Sequence, residues 1–295
     1  MNKIINKNNK LILGTVQMGL KYGINNINGK ISREECNKIF EKAFESNIRI
    51  LDTAEAYGNS HDIIGKFHEN NPNFKFKVNT KLANNIDLKQ IDGKISNYLK
   101  ELHIDQIETL MFHGYNSYHK NKLLIEKMVS LKKMDVIKNI GVSIYTNAEI
   151  ESILNDDNVS VIQLPFNLLD NMTQKNNLLT QIKKSGKISQ SRSAFLQGIF
   201  FKDLNKKNKI IDQLKKELIQ LKNLTIKYKC SMQELALSYC LCQKEIDNVL
   251  IGVDSSEQLV KNISAAKFKI DINLINEINK IKVENVDLIN PSLWN

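Results

Sequence analysis

Short apolar runs typical of β-strands alternate with longer helical segments along almost the whole chain of 295 residues. Each run is followed by a segment whose apolar residues recur every three or four positions, the period of an amphipathic helix. The predicted strands are Leu11–Thr15, Asn47–Asp52, Phe74–Lys81, Ile107–His113, Ile137–Ser143, Val159–Leu164, Ile188–Arg192 and Asn248–Gly252. Strands that alternate with helices over about 250 residues predict an α/β protein folded as a parallel (β/α)8 barrel, the TIM barrel. A doubly wound open sheet is the alternative.

The helical segments differ in length, and the last of them lies beyond the eighth strand. They are predicted over Arg33–Ser46, His61–His68, Asp87–Leu102, from His113 to about Asp135, Asn147–Asn155, Asn171–Lys184, Lys209–Lys244 and Asn273–Lys282. We expect the long block to be two helices that separate near Lys229–Ser231. Ser32 and Glu35 have the spacing of a capping box. Because no repeat or linker interrupts the pattern, we expect one domain, residues 1–295, a barrel with an extra C-terminal helix.

The composition excludes several classes of protein. A hydrophobic fraction of 42% with 25% charged residues is ordinary for a soluble globular chain. The net charge is +10, but the lysines are spread over every helix and mixed with acids, so no basic stripe suits a nucleic acid. No segment reaches the ~18 apolar residues that cross a bilayer, and polar Met1–Lys10 does not resemble a signal peptide. The four cysteines lack metal or redox spacing. We expect a cytoplasmic protein with no metal site and neither a nucleic-acid nor a membrane partner.

Four ionisable side chains lie at the C-terminal ends of three consecutive predicted strands. Asp52 ends the second strand and Tyr57 follows it, while Lys81 ends the third strand and His113 the fourth. Because the C-terminal ends of the strands in a parallel barrel meet at one rim, we expect these four side chains to share a pocket.

An acid, a phenol, an amine and an imidazole together suit the reduction of a carbonyl group. A nicotinamide delivers hydride to the carbonyl carbon, and the protein supplies the proton and the positioning. We predict that Tyr57 is the general acid, that the Lys81 ammonium lowers the phenol pKa from its usual ~10, and that Asp52 holds Lys81 in place. A neutral His113 would donate a second hydrogen bond to the carbonyl oxygen.

The motifs around these residues resemble those of the aldo-keto reductase family. The segment Asp52-Thr53-Ala54-Glu55-Ala56-Tyr57-Gly58 is similar to the family's second-strand signature, and Thr80-Lys81-Leu82 and Phe112-His113 resemble its lysine and histidine segments. Similar segments continue at Leu13–Thr15, Gly141–Ser143, Ile162–Asn167, Ser191–Gly198 and Leu250–Asn262. The resemblance implies a TIM barrel that reduces an aldehyde, ketone or sugar carbonyl with NADPH, and in many cases a monomer.

The resemblance also implies cofactor contacts along the rim. Ser143 and Gln163 would bind the nicotinamide carboxamide, and Asp52 would approach the nicotinamide ribose. The remaining implied contacts are Gly14 and Thr15 on the first strand, Arg192 and Ser193 at the pyrophosphate, Gly252, Val253 and Ser255 along the adenosine phosphate, and Gln258 and Asn262 at the adenine. Many members carry an arginine at the position of Gln258, where it pairs with the 2′-phosphate of NADPH. We expect NADPH as the family's usual cofactor, with Lys261 replacing that arginine, and NADH as the alternative.

Two other functions stay open from the sequence. The chain could be a non-catalytic nicotinamide-binding sensor or regulatory subunit, or a barrel isomerase or aldolase that uses Lys81 as a Schiff-base amine without a nicotinamide. The short C-terminal tail predicts an open rim. The Ser191–Gly198 motif resembles members from bacterial sugar and cell-envelope pathways, so a carbohydrate-like carbonyl is a hypothesis. We place His61, His68, His103 and His119 on the surface, since none has such a motif around it.

Overall fold

The computed structural model describes residues 10–23, 26 and 29–294, and in this part of the chain eight parallel strands form a closed barrel. Neighbours along the chain are neighbours in the barrel, and the first strand pairs with the eighth. The strands are β1 (Leu11–Gly14), β2 (Ile50–Asp52), β3 (Lys77–Leu82), β4 (Ile107–Phe112), β5 (Ile137–Ser143), β6 (Val161–Pro165), β7 (Ile188–Arg192) and β8 (Asn248–Ile251). The predicted TIM barrel is confirmed, and the open sheet is wrong. The prediction that there is no signal peptide rests on the polar segment Met1–Lys10. Only Lys10 of this segment lies within the described residues.

Helices surround the barrel and bury its outer face. They are α1 (Val16–Gly19), α2 (Arg33–Glu45), α3 (Ser60–Asn70), α4 (Ile91–Leu102), α5 (Tyr115–Lys120), α6 (Lys122–Lys133), α7 (Asn147–Ile153), α8 (Met172–Lys175), α9 (Leu178–Lys184), α10 (Lys209–Gln213), α11 (Lys215–Lys227), α12 (Met232–Cys242), α13 (Ser256–Ala265) and α14 (Ile272–Asn279). Phe40 of α2 packs against Phe67 of α3, with ring centroids 4.9 Å apart, and both contact Phe76 just before β3. No helix among the described residues is long and apolar enough to cross a membrane.

Two predicted helices are interrupted by asparagines. The segment after His113 forms α5 and α6, which separate at Asn121, where φ is −122° and ψ is 60°. The segment from Asn171 to Lys184 forms α8 and α9, with a positive φ of 53° at Asn176. Asparagine tolerates such backbone angles better than most residues because its short amide bonds to nearby backbone groups.

The block from Lys209 to Lys244 breaks where the sequence predicts and once more. Lys229 has a positive φ of 50°, and Ser231 then begins α12 with a complete capping box. A second break at Leu214 separates α10 from α11. The helix after β8 and the extra C-terminal helix, α14, are both present.

Two histidines predicted on the surface are buried instead. His61 is 6% exposed and His68 is fully buried. His61 Nε2 lies 2.9 Å from the Thr80 hydroxyl, and the ring of His68 hydrogen-bonds the carbonyl of Leu102 at 2.8 Å. These partners lie on β3 and α4, far away in sequence, so local context could not show them. His103 and His119 are exposed, as predicted.

Candidate active site

A cavity of about 190 Å³ opens at the C-terminal end of the barrel and brings together all four predicted catalytic side chains. Asp52, Tyr57, Lys81 and His113 all line it. Asp52 ends β2, Lys81 lies near the end of β3, and His113 follows β4 directly. The strand ends therefore meet as the fold predicts.

Lys81 and Asp52 form a buried ion pair at the floor of this cavity. Each residue is 1% exposed, and Lys81 Nζ bonds directly to Asp52 Oδ1. The ammonium also donates to the Thr53 carbonyl at 3.2 Å, and Gln163 Nε2 donates to Asp52 Oδ2 at 2.8 Å. Burial acts to lower the pKa of Lys81, but the Asp52 carboxylate, through its charge and its hydrogen bond to the ammonium, keeps that pKa above its ordinary value. Lys81 is thus a fixed cation.

Tyr57 projects into the cavity from the loop between β2 and α3. Lys81 Nζ lies 5.3 Å from the centroid of its ring, and the His113 ring meets it edge-on at 5.7 Å and 77°. Burial raises the pKa of Tyr57, and the opposing effect of Lys81 does not outweigh it. Lys81 thus acts in the predicted direction, but the net shift is upward because burial outweighs it, and the sequence does not reveal how deeply the phenol is buried. Burial next to the Lys81 charge lowers the pKa of His113 to about 4, so the ring is neutral at pH 7.

Glu55 fastens the loop that carries Tyr57 to the end of β3. Its backbone N–H donates to the carbonyl of Lys81 at 3.0 Å, and its carboxylate accepts from the backbone N–H of Ala83 at 3.1 Å. The side chains of Lys94 and Tyr98 on α4 bond to the same carboxylate. Glu55 thus ties the Tyr57 loop to the strand end that carries Lys81.

The backbone of Tyr57 also packs closely against Gly19 of α1. A Cβ atom at Gly19 would lie 1.7 Å from the backbone oxygen of Tyr57. Only glycine lets α1 approach the Tyr57 backbone this closely, since real Cβ atoms do not come within 3.0 Å. The Glu55 bonds and the close contact with Gly19 both restrict the position of the loop.

Most of the cofactor positions implied by the resemblance lie around the same cavity. Gly14, Thr15, Ser143, Gln163, Arg192, Ser193 and Gly252 line it together with Asp52. Arg192 donates to the carbonyl of Ile144 at 2.8 Å and stacks over Tyr145 at 4.1 Å. Two of the implied positions, Val253 and Ser255, line neither this cavity nor a second cavity farther along the rim. Val253 is packed in the core, and Ser255 caps α13.

Comparison with known proteins identifies the family. The model of the Aldo/keto reductase family matches residues 10–283. The chain belongs to this family. It is accordingly an NAD(P)H-dependent oxidoreductase, and the predicted membership is confirmed.

Relatives of this reductase are distant in sequence. This chain is 25% identical over 289 residues to the NADH-specific methylglyoxal reductase of Escherichia coli strain K12, and the alignment covers 84% of this chain and 86% of the relative. Among solved structures it is similar to the holo form of an aldo-keto reductase from Bacillus halodurans, with a TM-score of 0.75, 20% identity and 94% of both chains covered. A protein from Pseudomonas aeruginosa assigned to the aldo-keto reductases gives a TM-score of 0.65 at 17% identity, with 87% of this chain and 89% of the other covered. At these identities, the structural likeness supports the fold alone.

A second cavity of about 270 Å³ continues the first one along the rim, and two of the implied positions, Gln258 and Asn262, line it. Gln17, Tyr22 and Gly252 belong to both cavities. Gln17 Oε1 is buried without a hydrogen-bond partner among the described residues, and a Cβ atom at Gly252 would lie 2.5 Å from Gln17 Nε2. Gly252 leaves room for the Gln17 amide, and an orphaned buried acceptor where the two cavities meet fits a bound dinucleotide in this reductase.

Gln17 and Tyr145 are two polar lining residues to which the sequence analysis gave no role. Gln17 follows β1 by three positions and Tyr145 follows β5 by two. Both obey the rule that found the catalytic set, a functional side chain just after a barrel strand, and either could have been found by applying it to every strand.

Proposed function

We propose that this reductase transfers hydride from a nicotinamide cofactor to the carbonyl carbon of a small aldehyde, ketone or sugar, with Tyr57 as the proton donor. The observation that carries the proposal is the convergence of a buried cation, a phenol and a neutral imidazole on one cavity. A bound nicotinamide supplies the hydride, and Ser143 and Gln163 would hold its carboxamide.

The three side chains divide the work at the carbonyl oxygen. Because burial raises its pKa, Tyr57 carries its proton at neutral pH, which is the form that a general acid needs. The Lys81 cation stabilises negative charge as the phenol gives up the proton. His113 is neutral, so it donates a hydrogen bond to the carbonyl oxygen without competing for that proton.

A third, polar cavity next to the reacting groups supports a hydroxylated substrate. It measures about 950 Å³ and shares His113 and Tyr145 with the reaction cavity. Its wall is rich in amides and hydroxyls, contributed by Asn84, Asn85, Asn116, Ser117, Asn290 and Ser292. Asp87, Lys120 and Glu149 add charges of both signs to this wall, and its amides and hydroxyls suit a hydroxyl-bearing molecule. The C-terminal tail thus contributes to the rim that was expected to be open.

The cofactor and the first substrate to test follow from two sources. The resemblance favours NADPH, whereas the Escherichia coli relative is named for NADH and methylglyoxal. Both cofactors belong in the first assay, with methylglyoxal and a panel of sugar aldehydes. The single domain, the monomeric state and the cytoplasmic location stay predictions.

The decisive experiment replaces Tyr57 with phenylalanine. Tyr57→Phe is expected to lower kcat roughly 10²- to 10⁴-fold, the usual contribution of a general acid. Cofactor binding, followed by fluorescence titration, should not change. Tyr228→Phe is the matched control, because this hydroxyl donates to Glu277 on the outside of the barrel, and it should keep full activity. Undiminished turnover by Tyr57→Phe would refute the assignment.

The two alternatives predict different results. A sensor would bind the cofactor and reduce no substrate of the panel. A Schiff-base enzyme would be trapped on Lys81 by borohydride, but this amine is held protonated by Asp52 in the floor of the cavity, so we expect no trapping.

A further inference from the structure

We propose that this reductase selects NADH over NADPH, with the Asp254 carboxylate binding the hydroxyls of the adenosine ribose and Glu35 adding a second negative charge that disfavours a 2′-phosphate. The inference rests on the proposed function for one point, that the nicotinamide ring lies beside Tyr57. It then concerns the opposite end of the dinucleotide.

The position of the adenosine follows from the two joined cavities. The reaction cavity and the second cavity share Gln17, Tyr22 and Gly252, so they form one trough along the rim. With the nicotinamide beside Tyr57, the adenosine half lies in the second cavity. The charged side chains that line this part of the trough are Asp254 and Lys261.

Asp254 presents a half-buried carboxylate to the adenosine end. The Asn26 amide donates to Asp254 Oδ1 at 3.3 Å, which fixes one oxygen. A carboxylate accepts hydrogen bonds from the two adjacent hydroxyls of a ribose, and it repels a phosphate on the 2′ oxygen. Because Asp254 is partly removed from solvent, this repulsion is screened less than at an open surface.

The N-terminus of α13, which could otherwise attract a phosphate, is already occupied by acceptors of the chain itself. Ser256 N–H donates to Glu35 Oε1 at 2.6 Å, and Gln258 N–H donates to the Ser255 hydroxyl at 3.2 Å. Asp254 N–H donates to Gln258 Oε1 at 2.8 Å. The hydrogen bonds from Ser256 lower the pKa of Glu35, so this carboxylate stays charged. A phosphate placed here would meet the carboxylates of Asp254 and Glu35. The N–H groups of Asp254, Ser256 and Gln258 already donate to the chain's own acceptors and would not be open to it.

The predicted capping box at Ser32 explains how Glu35 comes to be there. The Ser32 hydroxyl accepts from Glu35 N–H at 3.2 Å, as the motif predicts. The carboxylate does not return to the start of its own helix and instead bonds to Ser256 on α13. The prediction of a complete capping box is thus wrong in its second half. The carboxylate that would close the box supplies negative charge to the adenosine end.

Positive charge at this end is sparse. Gln258 occupies the position where many family members carry an arginine, and its side-chain oxygen already accepts from Asp254 N–H. Lys261 is exposed, so its ammonium is solvated and its attraction for a phosphate is screened. Lys38 pairs with Glu35 at 4.0 Å but does not line the cavity. Among the described residues that line it, the Asp254 carboxylate faces one solvated cation, Lys261, and this favours the cofactor without a 2′-phosphate.

The test measures binding of NADH and NADPH to the purified enzyme by fluorescence titration. Wild type is expected to bind NADH roughly 10- to 100-fold more tightly, the range for a charged hydrogen bond gained or lost. Asp254→Asn and Glu35→Gln should each reduce that ratio, and Gln258→Arg should reduce it by strengthening NADPH binding. Glu45→Gln is the matched control, because Glu45 lies at the other end of α2 and pairs with Lys42 at the surface. It should leave the ratio unchanged.

Two results would overturn the inference. One is wild-type binding of NADPH as tight as that of NADH, which needs no variant to fold. The other is an unchanged ratio in a folded Asp254→Asn protein. Because the readout is binding, the two proposals can fail separately. Selective NADH binding without turnover would refute the proposed function alone, and turnover with equal affinities would refute the cofactor inference alone.

Discussion

The buried Lys81–Asp52 pair gives the sharpest prediction, because its structural and catalytic contributions can be separated. Lys81→Met removes the cation and keeps a side chain of similar length. Asp52, 1% exposed, would then retain one side-chain partner, Gln163 Nε2 at 2.8 Å. A carboxylate left buried with a single neutral donor is destabilising, since its remaining lone pairs have lost their water.

The magnitude follows from this burial. Breaking a buried pair by removing one partner costs about 3–5 kcal/mol. At about 2–4 °C per kcal/mol for a large domain, Lys81→Met should lower Tm by roughly 6–20 °C. Adding Asp52→Asn removes the stranded charge while leaving an amide oxygen for Gln163, so the double variant should recover most of the loss.

The assay combines thermal unfolding with turnover. Tm and the free energy of unfolding are measured for both single variants, the double variant and wild type, which gives the coupling energy of the pair. Activity should stay lost in all three variants, including the restabilised one, because each lacks either the Lys81 cation or the carboxylate that holds it in place. The surface pair Lys38–Glu34, with side chains 55% and 80% exposed, is the matched control and should give a coupling of at most about 0.5 kcal/mol. A double variant no more stable than Lys81→Met would contradict this reasoning.

Two further predictions concern His113 and Glu55. The pKa of His113 is lowered to about 4 from an ordinary 6.5, so as the pH falls the unfolded chain binds a proton at this histidine before the folded chain does. The stability that the neutral ring contributes is therefore complete above pH 6.5 and is lost as the pH falls towards 4. Tm measured across this window should fall less steeply in His113→Asn than in wild type, and parallel curves would count against the assignment. Glu55→Ala should lower kcat roughly tenfold or more with cofactor affinity unchanged, because it removes the carboxylate bonds that tie the Tyr57 loop to Ala83, Lys94 and Tyr98 and leaves only the backbone bond to Lys81. A variant that loses cofactor affinity and keeps kcat would show that Glu55 acts elsewhere.

The barrel and its reaction cavity could be predicted because both depend on local pattern. Each strand is a short apolar run followed by a helical period, and the barrel rule then brings the ends of β2, β3 and β4 together. Asp52, Lys81 and His113 needed no knowledge of distant contacts. The protonation of Tyr57 did need it, because burial depends on neighbours from several strands and loops.

The parts that were missed depend on partners far apart in the chain. His68 is buried because Leu102 and Phe76 supply its hydrogen bonds. Glu35 leaves a capping box that its own segment predicts because Ser256, 221 positions later, offers a better-placed N–H. In each case a local preference is overridden by a tertiary contact, and a single sequence carries no record of such contacts.

The contrast between local sequence pattern and distant contacts determines which properties of this chain a family resemblance can predict. The motifs that identify the family lie at strand ends, where the fold itself fixes the geometry of Asp52, Tyr57, Lys81 and His113. The cofactor selection that we propose depends instead on the Asp254 carboxylate and on the contact between Glu35 of α2 and Ser256 at the start of α13. The carbonyl chemistry can therefore be inferred from the motifs. The choice between NADH and NADPH has to be inferred from the charges at the proposed adenosine end, where this chain has the Asp254 carboxylate and has glutamine rather than arginine at position 258.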